Sequence, residues 1–310
     1  MDNKIIVEIS GLCNAKCPWC HAGRANRNGA QPATRRFMPP EFFDQVLTRL
    51  RALGLMANPL IEVFNYGEPL LHPHFADMAA VLAAHHARFR ISTNGSRLPE
   101  LPPRSMAGLE TVVFSMPGFS QASYDRGHGF RFETILRNIL ALRERLAGAG
   151  FTGQAILAYH VYQHNLHEIG AAGRFCTEHG MHFFPYFAHM VDLKEGMAYL
   201  NGALDQATLT RASQSLMLSH VPGLAASQPG DWHCFQQNKM IVDEFGMVVT
   251  CCLLDKAHPD YAIGSLFDLS LEEIVARKKS RPVCGPCLAS GAGYWYLHPT
   301  TPPFVRIPRS

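Results

Sequence analysis

CNAKCPWC, residues 13–20 of this 310-residue chain, places three cysteines in a C-x3-C-x2-C spacing. An apolar run at residues 5–9 (IIVEI) precedes it and predicts a β-strand. A loop that leaves a strand can turn three thiolates inward around one soft metal centre, and thiolates suit iron–sulfur clusters and zinc. Three protein ligands on a four-iron cluster leave one iron open to other molecules.

With the residues before it, this segment (VEISGLCNAKCPWC, residues 7–20) resembles the N-terminal motif of the radical S-adenosylmethionine (SAM) superfamily. Trp19, beside the last cysteine, also fits that motif. The resemblance implies that Cys13, Cys17 and Cys20 are the catalytic cysteines, which bind a [4Fe–4S] cluster that in turn binds SAM. The alternative is a zinc knuckle. Zinc usually takes four ligands in paired C-x2-C units, and only His21 lies nearby as a fourth.

Composition limits the class of protein. A chain of 310 residues suits one large domain, or one domain with a small appendage. The net charge of +3 argues against extended nucleic-acid binding, although not against a small anionic substrate. The sequence has no apolar run of about 18 residues, so we expect no membrane span. It also lacks a signal peptide, so we predict a cytoplasmic location in which the nine cysteines bind metal.

Strands and helices are predicted to alternate along residues 5–188. The predicted strands are residues 5–9, 60–64, 88–95, 111–118, 154–161 and 181–188, and the longer helices are 40–53, 74–86, 131–146 and 167–179. This alternation predicts an α/β fold with a parallel sheet and right-handed crossovers. Six units are too few for a closed eight-unit barrel, and the resemblance implies an open, partial (β/α)6 TIM-like barrel. Ligands bind such sheets at the carboxyl ends of the strands.

Residues 21–36 (HAGRANRNGAQPATRR) are rich in Arg, Asn and Gly, and we expect an exposed loop. The loop is either a solvated connector or a lid whose arginines meet an anionic group. Its arginines at positions 24, 27, 35 and 36 also form the one basic cluster that a nucleic-acid-binding protein would need.

Further motifs fall at the predicted strand ends. The resemblance implies a SAM-binding set of Trp19, Gly67, Glu68, Ser92, Asn94, Ser115 and Arg126. The segment YGEP, residues 66–69, is similar to the family's GGEP with Tyr66 in place of the first glycine. There Glu68 would bind the SAM amino group. Taken alone, the segment is an ordinary turn.

The remaining members of this set have implied roles of the same kind. Ser92 and Asn94, in the segment STNG, would hydrogen-bond the ribose or the methionine part of SAM. Ser115 ends the fourth predicted strand, and Arg126 would pair with the SAM carboxylate through its guanidinium group. The alternatives are a plain turn at residues 94–95 and a surface arginine at position 126.

Several side chains near the fifth and sixth strands stay open to two interpretations. Tyr186 and His189 are candidates for substrate contact, although core packing explains the aromatic run as well. We assign no catalytic role to His160 or its neighbours. Cys176 lies in a predicted helix and is expected to be a buried core residue, with a hydrogen-atom donor as the alternative.

The pattern changes near Gly230, so we divide the chain into residues 1–229 and 230–310. Residues 238–252 (NKMIVDEFGMVVTCC) predict a β-hairpin, and Ser270 opens a helix with Glu273 in capping-box spacing. The cysteines of this region are Cys234, Cys251, Cys252, Cys284 and Cys287. The segment resembles the twitch form of the SPASM domain, which implies a second [4Fe–4S] cluster with Cys251 or Cys252 as one of four ligands. A structural zinc site is the alternative.

Both resemblances together imply an oxidoreductase of the 2-deoxy-scyllo-inosamine dehydrogenase type. Such an enzyme cleaves SAM reductively and abstracts hydrogen from a C–H bond of a small polar substrate, such as a sugar, an aminocyclitol or a nucleoside. The second cluster would accept the electron, and flavodoxin or ferredoxin would supply the reductant. The alternatives are crosslinking or epimerisation of a ribosomal peptide, a radical decarboxylation or rearrangement, and a non-enzymatic zinc or nucleic-acid-binding protein.

Overall fold

Six parallel strands form the centre of the computed structural model, which describes residues 4–29 and 36–298. They are β1 (Lys4–Val7), β2 (Leu60–Glu62), β3 (Arg88–Thr93), β4 (Leu109–Met116), β5 (Gln154–Val161) and β6 (His182–Phe187). Each strand pairs in parallel with the next one along the chain. The sheet does not close, because β1 and β6 are not paired with each other. The predicted partial barrel is therefore confirmed.

Helices connect and cover the strands. They are α1 (His21–Arg27), α2 (Pro40–Ala52), α3 (Phe75–Ala84), α4 (Gln121–Arg126), α5 (Phe132–Gly148), α6 (Ile169–Glu178), α7 (Leu193–Leu200), α8 (Gln206–Ser213), α9 (Val221–Ala226), α10 (Leu271–Lys279), α11 (Cys284–Ala289) and α12 (Ala292–Leu297). In α2 the buried residues are Phe43, Val46, Leu47 and Leu50, which share one helix face at the i, i+3, i+4 and i+7 positions. None of the described helices is both long and apolar enough to cross a bilayer.

The expected loop at residues 21–36 is wrong over its first half, where α1 begins directly after Cys20. The glycine that suggested a loop, Gly23, serves a close contact instead. A Cβ at this position would lie 2.3 Å from the carbonyl oxygen of Cys17. The side chain of Asn26 donates to the carbonyls of Cys13 and Ala15, each at 2.7 Å, so α1 packs directly on the cysteine loop. Residues 30–35 of the expected lid, including Arg35, lie outside the described residues.

The C-terminal hairpin is confirmed, and it extends the barrel sheet. Strands β7 (Ile241–Val242) and β8 (Met247–Val249) are antiparallel, and β9 (Ala262–Ser265) pairs with β8. Strand β7 lies parallel to β1, with Ile6 opposite Ile241, so the sheet has nine strands. The predicted capping box between Ser270 and Glu273 is also present. One continuous sheet contains strands from both sides of residue 230. The division into two domains at that residue stays a prediction.

A buried ionic cluster joins the hairpin to the first strand. Glu8 follows β1, and its Oε1 accepts hydrogen bonds from the backbone N–H groups of Tyr66 at 2.7 Å and Gly67 at 2.8 Å. Lys256 lies 3.8 Å from the other oxygen of Glu8 and pairs closely with Glu244, which is completely buried. Burial raises the pKa of Glu8 to about 7, against the opposing effect of Lys256.

We predict that Glu8 makes the protein less stable as pH rises. Its folded pKa is raised above the ordinary 4.5, so the native state binds the proton more tightly than the unfolded state. The contribution is therefore complete below the ordinary value and is lost as pH rises through about 7, by up to about 3 kcal/mol. Glu8→Gln should flatten this decline in anaerobic denaturant unfolding at pH 5.5 and 7.5. Glu144→Gln, an exposed position in α5, is the control. Equal pH dependence in all three proteins would contradict the prediction.

Candidate active site

A cavity of about 250 Å³ opens at the carboxyl ends of the parallel strands. Its lining includes the predicted residues Cys13, Cys17, Trp19, Cys20, Gly67, Glu68, Ser92, Asn94 and Ser115. Segments from the ends of four different strands thus meet in one place. Three other side chains that the sequence left open also line it, namely His160, Tyr186 and His189. The structure therefore brings the cysteine loop and the predicted SAM-binding segments together.

The cysteine loop is held from several sides. The backbone N–H of Lys16 donates to the carbonyl of His128 at 2.9 Å. On the opposite side, the amide of Asn14 donates to the Ser96 hydroxyl at 2.9 Å and accepts from the Asn94 side chain at 3.0 Å. These contacts, with those of α1, fix the direction in which the three thiols face.

Burial makes the Cys13 and Cys17 thiols hard to ionise without a positive partner. It raises the pKa of Cys13 to about 12, with a further rise from Glu68. Burial also raises the pKa of Cys17 far above its ordinary value, and the neighbouring Cys20 and Cys13 add to the shift. Thiolates crowded in this way are stabilised when they ligate iron, so the site fits an iron–sulfur cluster.

No three Cys, His, Asp or Glu side chains within residues 4–29 and 36–298 converge as ligands of a single metal ion would. The thiolates of a four-iron cluster bind different irons. Such a cluster needs thiols that line one cavity, and their sulfurs need not converge on a single ion.

Glu68 connects two strand ends to the cysteine loop. Its carboxylate accepts hydrogen bonds from the backbone N–H groups of Leu70 at 3.0 Å and Asn94 at 2.7 Å, while its own N–H donates to the Leu12 carbonyl at 2.7 Å. Burial raises the pKa of Glu68 to about 7. Beside it, a Cβ at Gly67 would lie 1.6 Å from the carbonyl oxygen of Ser10. The YGEP segment therefore positions the loop, and its contact with SAM stays a prediction.

The rest of the cavity wall combines apolar side chains, such as Phe64 and Val191, with uncharged polar ones. The Ser115 hydroxyl and the His160 Nε2 are 3.2 Å apart and share a hydrogen bond. Burial lowers the pKa of His160 to about 4 and that of His128 to about 3, with a further effect of the neighbouring histidine in each case. Both imidazoles are therefore neutral near pH 7. The Asn94 amide also lies 3.9 Å from the Cys13 sulfur.

Arg126 lies elsewhere. It is the last residue of α4, is exposed, and lines a second cavity beside the first. Of the other predicted SAM-binding residues, only Trp19 lines this second cavity with it, and the remaining ones line the first cavity.

The five C-terminal cysteines form a second group, and four of them lie near a buried cation. Lys278 of α10 is completely buried and donates to the carbonyl of Lys239 at 2.5 Å, and Lys239 pairs with Glu62 at 2.9 Å. Burial lowers the pKa of Lys278 to about 8, and the thiols of Cys251, Cys252, Cys234 and Cys284 act in the opposite direction. A buried ammonium among thiols compensates the negative charge of a thiolate-bound cluster.

Tyr66 lies between the two cysteine groups. Its ring lines the first cavity, and its hydroxyl donates to the backbone carbonyl of Cys252. Burial raises the pKa of Tyr66 far above its ordinary value, and Cys252 and Cys20 both contribute. This phenol is therefore a neutral donor that touches both sites.

Comparison with known proteins agrees with this geometry. The sequence model of the radical SAM superfamily matches residues 7–166, which is more than half of the chain. The chain belongs to the radical SAM superfamily. A second match, the SPASM iron–sulfur cluster-binding domain, covers residues 234–288 and all five C-terminal cysteines. The family implies a [4Fe–4S] cluster with SAM, and the SPASM domain implies auxiliary iron–sulfur binding.

Individual relatives are more distant. The mycofactocin maturase MftC of Mycobacterium ulcerans is 28% identical over 166 residues, which cover 52% of this chain and 41% of that protein. The chain thus spans less than half the length of the curated relatives it matches. Streptococcus suis SuiB bound to its precursor peptide SuiA has a TM-score of 0.60 at 15% identity, covering 93% of this chain and 67% of that one. BtrN in complex with AdoMet and 2-DOIA has a TM-score of 0.49 at 17% identity, covering 94% and 89%.

Two residues that contact the cysteine groups, Tyr66 and Lys278, were not predicted from the sequence. Tyr66 was noted only as a departure from GGEP, although a large side chain at a family glycine was a signal of a new contact. Lys278 had no such signal, because it lies in a run of charged residues that predicts a solvated helix end.

We predict that Gly67→Ala damages the site. The added methyl group would meet the Ser10 carbonyl, a backbone atom that cannot rotate away. The expected cost is about 1–3 kcal/mol of unfolding free energy, together with loss of iron from the first cluster. Gly223→Ala in α9, where a Cβ meets nothing within 4 Å, is the matched control and should be neutral or stabilising. Anaerobic unfolding and iron analysis check both, and equal behaviour of the two variants would refute the explanation.

Proposed function

We propose that this radical SAM enzyme oxidises its substrate, with the C-terminal cysteine group holding one auxiliary [4Fe–4S] cluster that accepts an electron. The observation that carries the proposal is the position of Tyr66, which touches the SAM-side cavity and the auxiliary cysteines at once. An electron acceptor placed this near to a radical site favours oxidation over a redox-neutral rearrangement.

Each part of the first cavity has a proposed role. Cys13, Cys17 and Cys20 would hold the first cluster. When bound, this cluster and SAM supply a 5′-deoxyadenosyl radical that takes a hydrogen atom from a C–H bond. Trp19, Gly67, Glu68, Ser92, Asn94 and Ser115 are the proposed SAM contacts of this cavity. The neutral histidines and the buried walls orient the substrate and exclude water, which protects a reactive radical.

The auxiliary group has one cysteine more than four ligands require. Cys234, Cys284 and Cys287 are proposed ligands, together with either Cys251 or Cys252, whose thiols hydrogen-bond each other. The hydrogen bond with Cys251 lowers the pKa of Cys252, and the nearby Lys239 and Lys278 lower it as well. Both cysteines are kept as candidates.

We propose a small polar substrate, because the polar groups in the wall of the first cavity, among them Ser92, Asn94 and Ser115, can hydrogen-bond hydroxyl or amino groups. Flavodoxin or ferredoxin is the proposed electron donor, and the cytoplasmic location stays a prediction. Modification of a peptide is the second candidate, because SuiB is a protein of similar fold that was solved with its precursor peptide.

Iron counting and SAM cleavage test the cofactor assignment. After anaerobic reconstitution we expect about eight irons per chain in the wild type and about four in a Cys13/Cys17/Cys20→Ala triple variant. The triple variant should also lose formation of 5′-deoxyadenosine. Cys176→Ala is the control, because Cys176 is buried in the barrel core away from both groups and its loss should leave the iron content unchanged.

Two outcomes would count against the proposal. About four irons in the wild type and none in the triple variant would leave the C-terminal cysteines without a cluster. The proposed oxidation would then lack its electron acceptor. Zinc in place of iron at both sites would remove the enzymatic assignment for this chain.

We further predict that Lys278→Met lowers the midpoint potential of the auxiliary cluster. A buried cation stabilises the reduced, more negative cluster, so its removal favours the oxidised form by about 50–100 mV. The exposed neighbour Lys279→Met in the same helix is the control and should shift the potential little. A redox titration followed by electron paramagnetic resonance measures both. Equal shifts would show that Lys278 does not act on the cluster.

A further inference from the structure

A second cavity of about 570 Å³ lies beside the candidate active site, and its lining is strongly basic. Four arginines contribute to it, namely Arg24, Arg27, Arg126 and Arg211, and no aspartate or glutamate is among its described lining residues. Trp19 and Tyr162 line both cavities and so form a shared wall. The second cavity is therefore adjacent to the cluster motif itself.

Most of this positive charge is in no direct ion pair among the described residues, although the pKa of Asp205, lowered chiefly by hydrogen bonds from Thr208, is lowered further by the nearby Arg211. Arg24 is the exception, since it donates to both oxygens of Glu195 at 2.7 and 2.5 Å. Arg27 donates to backbone carbonyls, among them that of Gly127 at 3.2 Å. Arg211 donates to the Thr208 hydroxyl at 2.8 Å. Among the described residues, no carboxylate lies within ion-pair distance of Arg27, Arg126 or Arg211.

The imidazole of His164 lines the second cavity beside these arginines. It stacks on Tyr162 with ring centroids 5.2 Å apart. Burial lowers the pKa of His164, and Arg126 lowers it further, against the opposing effect of Glu168. His164 is thus a neutral polar group beside the cations, and it does not cancel their field.

We propose that the second cavity binds an anionic group of the substrate, a phosphate or a carboxylate, through Arg126 and Arg211 with Arg27 behind them. A guanidinium group binds both oxyanions in a bidentate manner. An anion held there anchors the substrate next to the shared wall, so that binding energy from a group remote from the reacting carbon orients that carbon in the first cavity. This inference rests on the proposed function, and it narrows the substrate to an anionic molecule.

Equilibrium dialysis tests the site on the reconstituted enzyme with saturating SAM, which occupies the first cavity. The probes are labelled inorganic phosphate for a phosphate group and glutarate for a carboxylate group. Arg126→Gln and Arg211→Gln should each raise the dissociation constant of the preferred probe about tenfold. Both side chains are exposed, so the variants should fold. Arg137→Gln is the matched control, because this exposed arginine also donates to a threonine three residues before it but lies in α5 outside the cavity.

Tighter binding of phosphate or of glutarate, with loss in both cavity variants, supports the site and identifies the group. Equal weakening of probe binding in Arg137→Gln would show that the effect comes from the net charge of the protein, and it would overturn the inference. Binding of neither probe in the presence of SAM would also overturn it. SAM cleavage is measured on the same preparations. If the enzyme cleaves SAM but binds neither anion, the proposed function stands and the anion site is refuted. If it binds an anion in an arginine-dependent manner but does not cleave SAM, the anion site stands and the proposed function is refuted.

Discussion

The contact between Gly67 and the carbonyl of Ser10 is the constraint on which the candidate active site depends. At this point the end of β2 lies so close to the chain leaving β1 that no side chain fits between them. The neighbouring hydrogen bonds of Glu8 and Glu68 hold the two segments in that position. Since Cys13 lies only three residues after Ser10, this contact fixes where the cysteine loop begins.

The features that could be predicted from the sequence were those with a local pattern. Alternating strands and helices gave the parallel sheet, because each strand must bury an apolar face and each helix an apolar stripe. The spacing of Cys13, Cys17 and Cys20 and the short segments at strand ends gave nine residues that do line one cavity. Strand ends in a parallel sheet meet at one edge, so motifs placed there must converge.

The features that were missed depend on packing between distant parts of the chain. The composition around Gly23 is that of a loop, and only its contact with Cys17 explains a glycine inside α1. Lys278 is buried near cysteines that lie up to 44 positions away in the sequence, at Cys234, so no local pattern reveals its surroundings. The SAM contact that the resemblance implies for Arg126 stays a prediction, and its place in the second cavity could not be foreseen because the sequence does not determine on which side of the cysteine loop its helix ends.

The parallel pairing of β7 with β1 has a consequence for how this protein could be shortened or recombined. An open barrel leaves the backbone N–H and C=O groups of its first strand unpaired, and such an edge invites association with other chains. Here the auxiliary unit covers that edge and buries Ile6 against Ile241. A barrel separated from its cysteine-rich end would expose the unpaired edge of β1, so a truncated or recombined version of this enzyme should keep the two parts together.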